Sequence, residues 1–401
     1  MSNISRRHLL QFTASTLATL GLSQINWLTK ADRYGKVLAE STSRKLALLV
    51  GINDYLLDPL RGCINDVEMQ RHLLIHRFGF NPNDILVVTD KDATRQGILE
   101  AFEEHLIKQA KPDDVVVFHY SGHGSLVADP DPIVPNPDGS GVNGTFVPVD
   151  GTLPIGYPVE GGAVNDIMGH TLFLLMSAIK SEKFTAVLDC CHAGAATRPD
   201  FQVRSRSGGR KIEISAAEKA YQDQWLSKLG WTQEEFVNQY RSSVAKGVVF
   251  AATQPNQLAV DANLNGFYSG IFTYLLTQYL WQNEGTPEST IEWIVPQIPE
   301  RFRQKPTIEV LAESNYKTQS AYFLESANPV ADAVVTEANG TTATLWLGGL
   351  DIDRLAALEV GVTEFETTGS SGRVTLQSRT GLHAEGMIQG DIQPGTVLRK
   401  V

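Results

Sequence analysis

The sequence predicts an α/β fold with a mostly parallel central sheet, followed by a small all-β domain. Apolar runs of strand length alternate with segments of helical periodicity through most of the chain, a pattern typical of right-handed βαβ units. After about residue 328 the pattern changes to short β-prone runs separated by Gly, Asn and Ser. We therefore expect a main domain at 41–325 and a β-rich domain at 329–401, preceded by a separate segment at 1–40.

The strands of the main domain are predicted from apolar runs that a sheet covered on both faces would bury. These runs lie at 45–51, 84–89, 114–120, 183–189 and 247–252. Helical spacing predicts helices at 63–76, 94–109, 165–180, 266–282 and 288–303, with a last strand at 307–311. Thr94 is a suitable N-cap for the second of these helices.

Two segments interrupt this alternation. The stretch at 125–162 is rich in Pro, Gly and Asp and is predicted as a long loop, and long ordered loops often carry function. A polar insertion at 195–246 follows the strand at 183–189, and it contains a helical pattern at 216–240.

Residues 1–40 resemble a twin-arginine export signal. The pair Arg6-Arg7 is followed by a weakly apolar stretch up to Leu22, and 37–39 provide a small-residue cleavage site. The alternative is a disordered basic N-terminus in which the arginine pair occurs by chance. On the first interpretation the protein is exported to the periplasm or cell envelope.

Composition excludes several function classes. The chain has 401 residues with 42% hydrophobic and 20% charged residues, as in ordinary globular proteins. Its net charge of -11 argues against a nucleic-acid partner. Three cysteines without a C-x-x-C pair argue against a disulfide framework and a structural zinc site. Beyond the signal segment, no apolar run is long enough to span a bilayer, so we expect no stable membrane span after signal removal.

Two of the predicted strands end in groups of complementary chemistry. The strand at 183–189 is followed by Cys190-Cys191-His192, and the strand at 114–120 by Ser121-Gly122-His123-Gly124. Open α/β sheets place their sites at the carboxyl ends of the strands. A thiol with an imidazole as its base is the minimum for a cysteine nucleophile.

At these residues the chain resembles the caspase-like cysteine peptidases, specifically the metacaspases and their bacterial relatives, the orthocaspases. The family motifs Tyr-Ser-Gly-His-Gly and Asp-x-Cys-His-x-Gly are matched by 120–124 and 189–194. The resemblance covers the central part of the chain. It implies a caspase-like α/β/α sandwich and a cysteine endopeptidase that acts on proteins or peptides.

The resemblance assigns the catalytic roles. Cys191 directly precedes His192 and therefore matches the nucleophile, while Cys190 would point the opposite way along an extended strand end. His123 would help maintain the thiolate and protonate the leaving amine. The backbone N–H groups of Gly124 and Cys191 would face the developing oxyanion. We expect a structural role for His192.

The charge of the expected substrate pocket predicts its specificity. Asp189 lies two residues before Cys191 and thus on the same side of an extended chain. The resemblance adds Asp66, Cys63 and Ser121 to the pocket for the residue before the cleaved bond. Two carboxylates in a partly desolvated pocket favour Arg, then Lys, and disfavour Asp. Asp66 also suits the first turn of a helix, where the macrodipole stabilises an acid.

The same preference suggests self-processing in the insertion. Its basic residues lie in a Ser- and Gly-rich setting that we expect to be exposed, as a protease-sensitive loop should be. They are Arg198, Arg204, Arg206, Arg210 and Lys211. The alternative is a solvated linker.

Calcium is the one cofactor to weigh, because Asp-rich loops suit Ca²⁺. In calcium-dependent metacaspases an acid in the long loop acts with an Asp-Asp pair before the next helix. Here Asp138 matches the first acid, but the pair is Asn165-Asp166, and a further family acid falls at Arg198. The site is incomplete, so we predict an enzyme that needs neither calcium nor another cofactor.

The sequence thus predicts an exported cysteine endopeptidase that cleaves after Arg and less readily after Lys. A catalytically silent interaction module on the same fold is the alternative from another class. A thiol-dependent acyl transferase or ligase is a third.

Overall fold

The computed structural model describes residues 43–132, 135, 141–191, 202–255, 257–368 and 371–401. The predicted export segment and His192 lie outside these residues. Residues Lys45–Val401 form one compact unit.

The predicted parallel sheet has six strands in the order β14-β11-β8-β3-β1-β2. Every neighbouring pair is parallel except β11 with β14, which is antiparallel and forms one edge. The strands are β1 (Lys45–Gly51), β2 (Ile85–Thr89), β3 (Val115–Ser121), β8 (Phe184–Asp189), β11 (Val248–Ala251) and β14 (Thr307–Val310). All residues of β3 are buried, as expected for a central strand covered on both faces.

Helices connect these strands and cover the sheet. They are α1 (Cys63–His76), α2 (Arg95–Ala101), α3 (Gly169–Ser177), α4 (Ala216–Leu229), α5 (Gln233–Ser242), α6 (Ile271–Gln282) and α7 (Pro287–Ile294). Thr94 caps α2 by accepting a hydrogen bond from the Gly97 N–H at 3.0 Å. The single helical pattern predicted at 216–240 is two helices, because Gly230 ends α4 in the left-handed conformation with φ of 70°.

The segment predicted as a long loop at 125–162 is partly a small sheet, which corrects that expectation. β4 (Gly124–Ala128) pairs antiparallel with β5 (Val142–Phe146), and β5 pairs with β7 (Ile167–Met168). The insertion also contributes strands: β9 (Gln202–Val203) joins β12 (Val260–Asn263) and β13 (Tyr268–Gly270), and β10 (Ile212–Ile214) pairs with β6 (Gly162–Val164). Short polar strands of this kind carry little apolar periodicity, so the sequence pattern does not reveal them.

The C-terminal β-rich region is a closed barrel in the order β15-β16-β19-β18-β17-β20. Its neighbouring strands are all antiparallel. Its elements are β15 (Ala333–Asn339), β16 (Thr342–Trp346), α8 (Ile352–Ala356), β17 (Glu364–Thr367), β18 (Arg373–Thr380), β19 (His383–Gln389) and β20 (Val397–Lys400). Closure pairs every strand on both sides and removes exposed sheet edges.

Buried aromatic side chains join the barrel to the main domain. Trp346, at the end of β16, lies with its ring centroid 5.0 Å from that of Trp281 on α6 and 4.6 Å from that of His72 on α1. The indole N–H of Trp281 donates to the carbonyl of Ala331, next to β15, at 2.5 Å. Both indoles are almost completely buried. The barrel and the sheet domain therefore share one apolar core.

Among the residues that the structure describes, no helix combines the length and the apolar character needed to cross a membrane.

Replacing Trp346 by Ala should lower the free energy of unfolding of the whole unit by about 3–5 kcal/mol, because the change leaves a large cavity between the barrel and α6. Met387→Ala is the matched control, since this barrel side chain is 49% exposed and should change stability by less than about 0.5 kcal/mol. Denaturant unfolding monitored by far-UV circular dichroism measures both. Equal effects of the two substitutions would contradict a shared core.

Candidate active site

The two motif-bearing strands are neighbours in the sheet. β3 and β8 pair in parallel, with Ser121 opposite Asp189 at their carboxyl ends. His123 and Cys191 each follow two residues later, so the register brings both motifs to the same edge. Cys191 and His123 are both buried.

A segment of the insertion crosses this edge of the sheet. β9 pairs antiparallel with β12, with Val203 opposite Val260. The next residue, Arg204, donates its backbone N–H to the carbonyl of Ala259 at 3.0 Å. The segment is therefore held as an additional strand along β12 until it reaches the two motifs.

The carbonyl oxygen of Arg204 lies between the two motif loops. It accepts hydrogen bonds from the backbone N–H of Gly124 at 3.0 Å and from that of Cys191 at 3.2 Å. These are the two N–H groups that the sequence motifs assign to an oxyanion site. Donors in this position stabilise negative charge that develops on a carbonyl oxygen.

The Arg204 side chain is completely buried in an acidic pocket. Its guanidinium lies 2.7 Å from a carboxylate oxygen of Asp66, 3.2 Å from one of Asp189 and 2.8 Å from one of Asp261. It also donates to the hydroxyl of Ser121 at 2.7 Å. The expectation that Arg204 is exposed is thus wrong, because three carboxylates from distant parts of the chain solvate its charge.

Charge and burial shift the pKa values in this pocket. Burial raises the pKa of Asp66 to about 6, against the lowering effect of the Arg204 cation. Burial alone lowers the pKa of Arg204, but Asp189 and Asp66 outweigh it and hold that pKa well above its ordinary value. Burial also raises the pKa of the Cys63 thiol, which lies close enough to Arg204 to interact with its charge. The pocket therefore favours a permanent cation.

The three acids are oriented by the body of the protein. Asp66, in the first turn of α1, accepts hydrogen bonds from the Ser121 and Ser269 hydroxyls, each at 2.6 Å. Asp189 accepts from the hydroxyl of Thr273 at 2.6 Å. Asp261 accepts from two backbone N–H groups, those of Arg61 at 2.9 Å and of Gly62 at 3.1 Å.

One glycine is needed for this close packing. A Cβ atom on Gly270 would lie 2.2 Å from a carboxylate oxygen of Asp189 and 2.5 Å from a guanidinium nitrogen of Arg204. Any larger residue at this position would displace the ion pair.

The orientation of the His123 ring determines which of its two nitrogens carries the hydrogen. Its Nε2 lies 2.7 Å from the carbonyl oxygen of Asp58, which only accepts, so Nε2 carries the hydrogen. Nδ1 is buried without a hydrogen-bond partner among the described residues, and burial lowers the pKa of the ring to about 4. A neutral His123 therefore has a free lone pair at Nδ1, as a general base requires.

Two tyrosines fix the backbone at His123. The Tyr55 hydroxyl accepts a hydrogen bond from the His123 N–H at 2.9 Å, and its ring centroid lies 4.5 Å from that of the imidazole. The Tyr120 hydroxyl donates to the His123 carbonyl at 2.9 Å. The motif loop is therefore held on both backbone groups of the histidine.

Sequence reasoning missed Asp261, Thr273 and the Asp58 carbonyl. Asp261 joins the pocket because β12 pairs with β9, and Asp58 contributes only a backbone atom, from a residue with φ of 55°. Neither a lone acid in a β-prone run nor a carbonyl group has a sequence signature.

The calcium candidates are not assembled in the described part of the chain. Asp138 and Arg198 lie outside it. Asp166 is 2.6 Å from the guanidinium of Arg206, and a guanidinium at that carboxylate does not fit a divalent cation. Among the described residues, no group of three acidic, His or Cys side chains could hold a metal ion. Calcium independence stays a prediction to be tested.

A comparison with protein families matches residues 44–321 to the caspase domain, peptidase C14. The chain is also similar to curated fungal proteins called metacaspase-1. It is 30% identical to that of Scheffersomyces stipitis over 60% of this chain and 63% of the relative. It is 34% identical to that of Meyerozyma guilliermondii over 42% and 41%, and 28% identical to that of Schizosaccharomyces pombe over 60% and 60%. The chain thus spans less than two thirds of the length of these relatives.

Removing the buried cation should destabilise the fold in a pH-dependent way. We expect Arg204→Met, made in a Cys191→Ala background that excludes any reaction at this thiol, to lose about 3 kcal/mol of unfolding free energy at pH 7.5. Carboxyl groups whose folded-state pKa is raised, as that of Asp66 already is, cost stability as the pH rises through that pKa. The unfolding free energy lost in Arg204→Met should therefore be smaller at pH 5 than at pH 7.5.

Urea unfolding of the two proteins at pH 7.5 and 5 measures this difference. Arg210→Met in the same background is the control, because Arg210 is exposed in the same segment. A loss that is independent of pH would contradict the assignment of the pocket acids.

Proposed function

We propose, because the chain belongs to the caspase-domain family of peptidase C14, that it is a cysteine endopeptidase. In this proposal it cleaves after Arg, and it processes itself at the Arg204–Ser205 bond. The observation that carries this proposal is the placement of Arg204. Its side chain occupies the three-acid pocket while its carbonyl oxygen accepts from Gly124 and Cys191. This is the arrangement that a substrate needs on both sides of a reacting carbonyl carbon.

In the proposed mechanism, Nδ1 of His123 takes the thiol proton and the sulfur of Cys191 attacks the Arg204 carbonyl carbon. The N–H groups of Gly124 and Cys191 stabilise the oxyanion. His123 then gives its proton to the amine of Ser205, which leaves as a new N-terminus. Water, deprotonated by His123, hydrolyses the resulting thioester and releases the Arg204 carboxylate.

The pocket chemistry supports Arg before the cleaved bond. Asp66 and Asp261 both contact one terminal nitrogen of the guanidinium, and Asp189 contacts the other. A planar guanidinium donates in several fixed directions at once, whereas an ammonium group is a compact point charge. Lys is therefore the second choice, and an Asp side chain would place a fourth negative charge in the pocket.

Export of the mature protein to the periplasm or cell envelope is a further part of the proposal. It depends on residues 1–40, and detection of the mature N-terminus in an envelope fraction tests it.

Purified wild-type protein should convert to fragments that end at Arg204 and begin at Ser205, at a rate independent of protein concentration, because the segment lies in its own cleft. Cys191→Ala should stay intact. Arg204→Ala should lose this cut, whereas the control Arg210→Ala, in the exposed part of the same segment, should keep it. Intact-mass spectrometry and N-terminal sequencing identify the fragments. Identical fragments from Cys191→Ala would rule out self-processing.

The processed enzyme should hydrolyse fluorogenic peptide amides with Arg before the amide faster than those with Lys, and should not hydrolyse those with Asp. Asp261→Asn should lower kcat/KM for the Arg peptide by about 10–100-fold, the value of a charge-assisted hydrogen bond. Glu213→Gln, which changes an exposed acid, is the control.

Assays with calcium and with an added amine acceptor separate the alternatives. Turnover that needs calcium would contradict the predicted independence, and transfer to the amine would indicate an acyl transferase. No turnover by folded, reduced protein would favour the silent interaction module.

A further inference from the structure

The chain after the Arg204–Ser205 bond continues along β4 instead of leaving the cleft. The Arg206 N–H donates to the carbonyl of Gly124 at 2.8 Å, and the Gly209 N–H donates to the carbonyl of Leu126 at 2.7 Å. Ser205 forms a parallel bridge with Gly124. The fold therefore binds an extended peptide on both sides of this bond, with β12 before it and β4 after it.

A second basic side chain is bound on this side. The guanidinium of Arg206 lies 2.6 Å from a carboxylate oxygen of Asp166. The side chain of Arg206 is 10% exposed and that of Asp166 is fully buried. In contrast, the next two basic residues of the segment, Arg210 and Lys211, are exposed.

The body of the protein holds the acid in place. Asp166 lies between β6 and β7, and its carboxylate also accepts a hydrogen bond from the hydroxyl of Thr145 on β5 at 2.6 Å. Its other oxygen is buried without a hydrogen-bond partner among the described residues. A cation stabilises a buried carboxylate in this position, and the segment supplies one.

We propose that Asp166 anchors a second specificity pocket, which binds Arg two residues after the cleaved bond. This inference rests on the proposed peptidase function and adds a requirement to it. Successive side chains of an extended peptide point to alternate sides, so Arg204 and Arg206, on either side of Ser205, face the same way. The enzyme therefore selects Arg-x-Arg sequences and cuts after the first Arg, with the three-acid pocket and Asp166 reading the two cations separately.

Two internally quenched peptides test this pocket on the self-processed enzyme. They have the sequences Val-Arg-Ser-Arg-Ser and Val-Arg-Ser-Ala-Ser between fluorophore and quencher, and mass spectrometry of the products identifies cleavage at the first Arg-Ser bond, which alone is counted. We expect kcat/KM to be about 10-fold or more higher for the first peptide, because it gains a charge-assisted hydrogen bond. Asp166→Asn should bring the ratio of the two kcat/KM values close to one, and Glu213→Gln, which changes an exposed acid, should leave this ratio unchanged.

Equal hydrolysis of the two peptides by wild-type enzyme would overturn the second pocket while leaving the peptidase proposal intact. Hydrolysis of neither peptide would overturn the peptidase function and this pocket with it. If Asp166→Asn fails to fold, the ratio of the two kcat/KM values for the wild-type enzyme still tests the second pocket.

The intact chain offers an independent measurement. Arg206→Ala should slow self-cleavage after Arg204 by a similar factor, while Arg210→Ala should not. An unchanged rate in Arg206→Ala would count against the pocket.

Discussion

One buried ion cluster determines the arrangement of the whole cleft. Arg204 is balanced by Asp66 from α1, Asp189 from the end of β8 and Asp261 from β12, so a single cation holds together three elements far apart in sequence. Removing four charged groups from water is costly, and direct hydrogen bonds with additional hydroxyl and N–H donors compensate only when the geometry is well matched. This requirement explains why Ser121, Ser269 and Thr273 surround the acids.

The ion cluster also fixes the position of a backbone carbonyl. While the acids hold its side chain, the carbonyl oxygen of Arg204 lies between the N–H groups of Gly124 and Cys191. The strands on either side limit the remaining freedom, because β12 binds the preceding residues and β4 the following ones. The proposed selectivity and the proposed catalysis thus depend on the same set of contacts.

The sequence predicts the central sheet well because its strands are long apolar runs separated by helices of clear periodicity, as β1 and α1 illustrate. Barrel strands such as β17 and β20 are harder to predict from the sequence, because they have only four residues each. Within the site, local sequence motifs indicate Cys191 and His123. They do not indicate Asp261, which strand pairing brings to the pocket, or Asp58, which contributes only its backbone carbonyl. The prediction of an exposed Arg204 is wrong because its polar sequence neighbours suggest exposure, whereas acids from distant parts of the chain pair with it in the interior.

The placement of β9 beside β12 has a kinetic consequence. Hydrolysis of one bond would leave Arg204 as a chain end that still has its guanidinium, its strand pairing and now a carboxylate facing two N–H donors. Such an end is a tethered product inhibitor at high effective concentration. If the proposed self-cleavage occurs, steady activity on other chains would therefore begin only after a lag, as this tail dissociates.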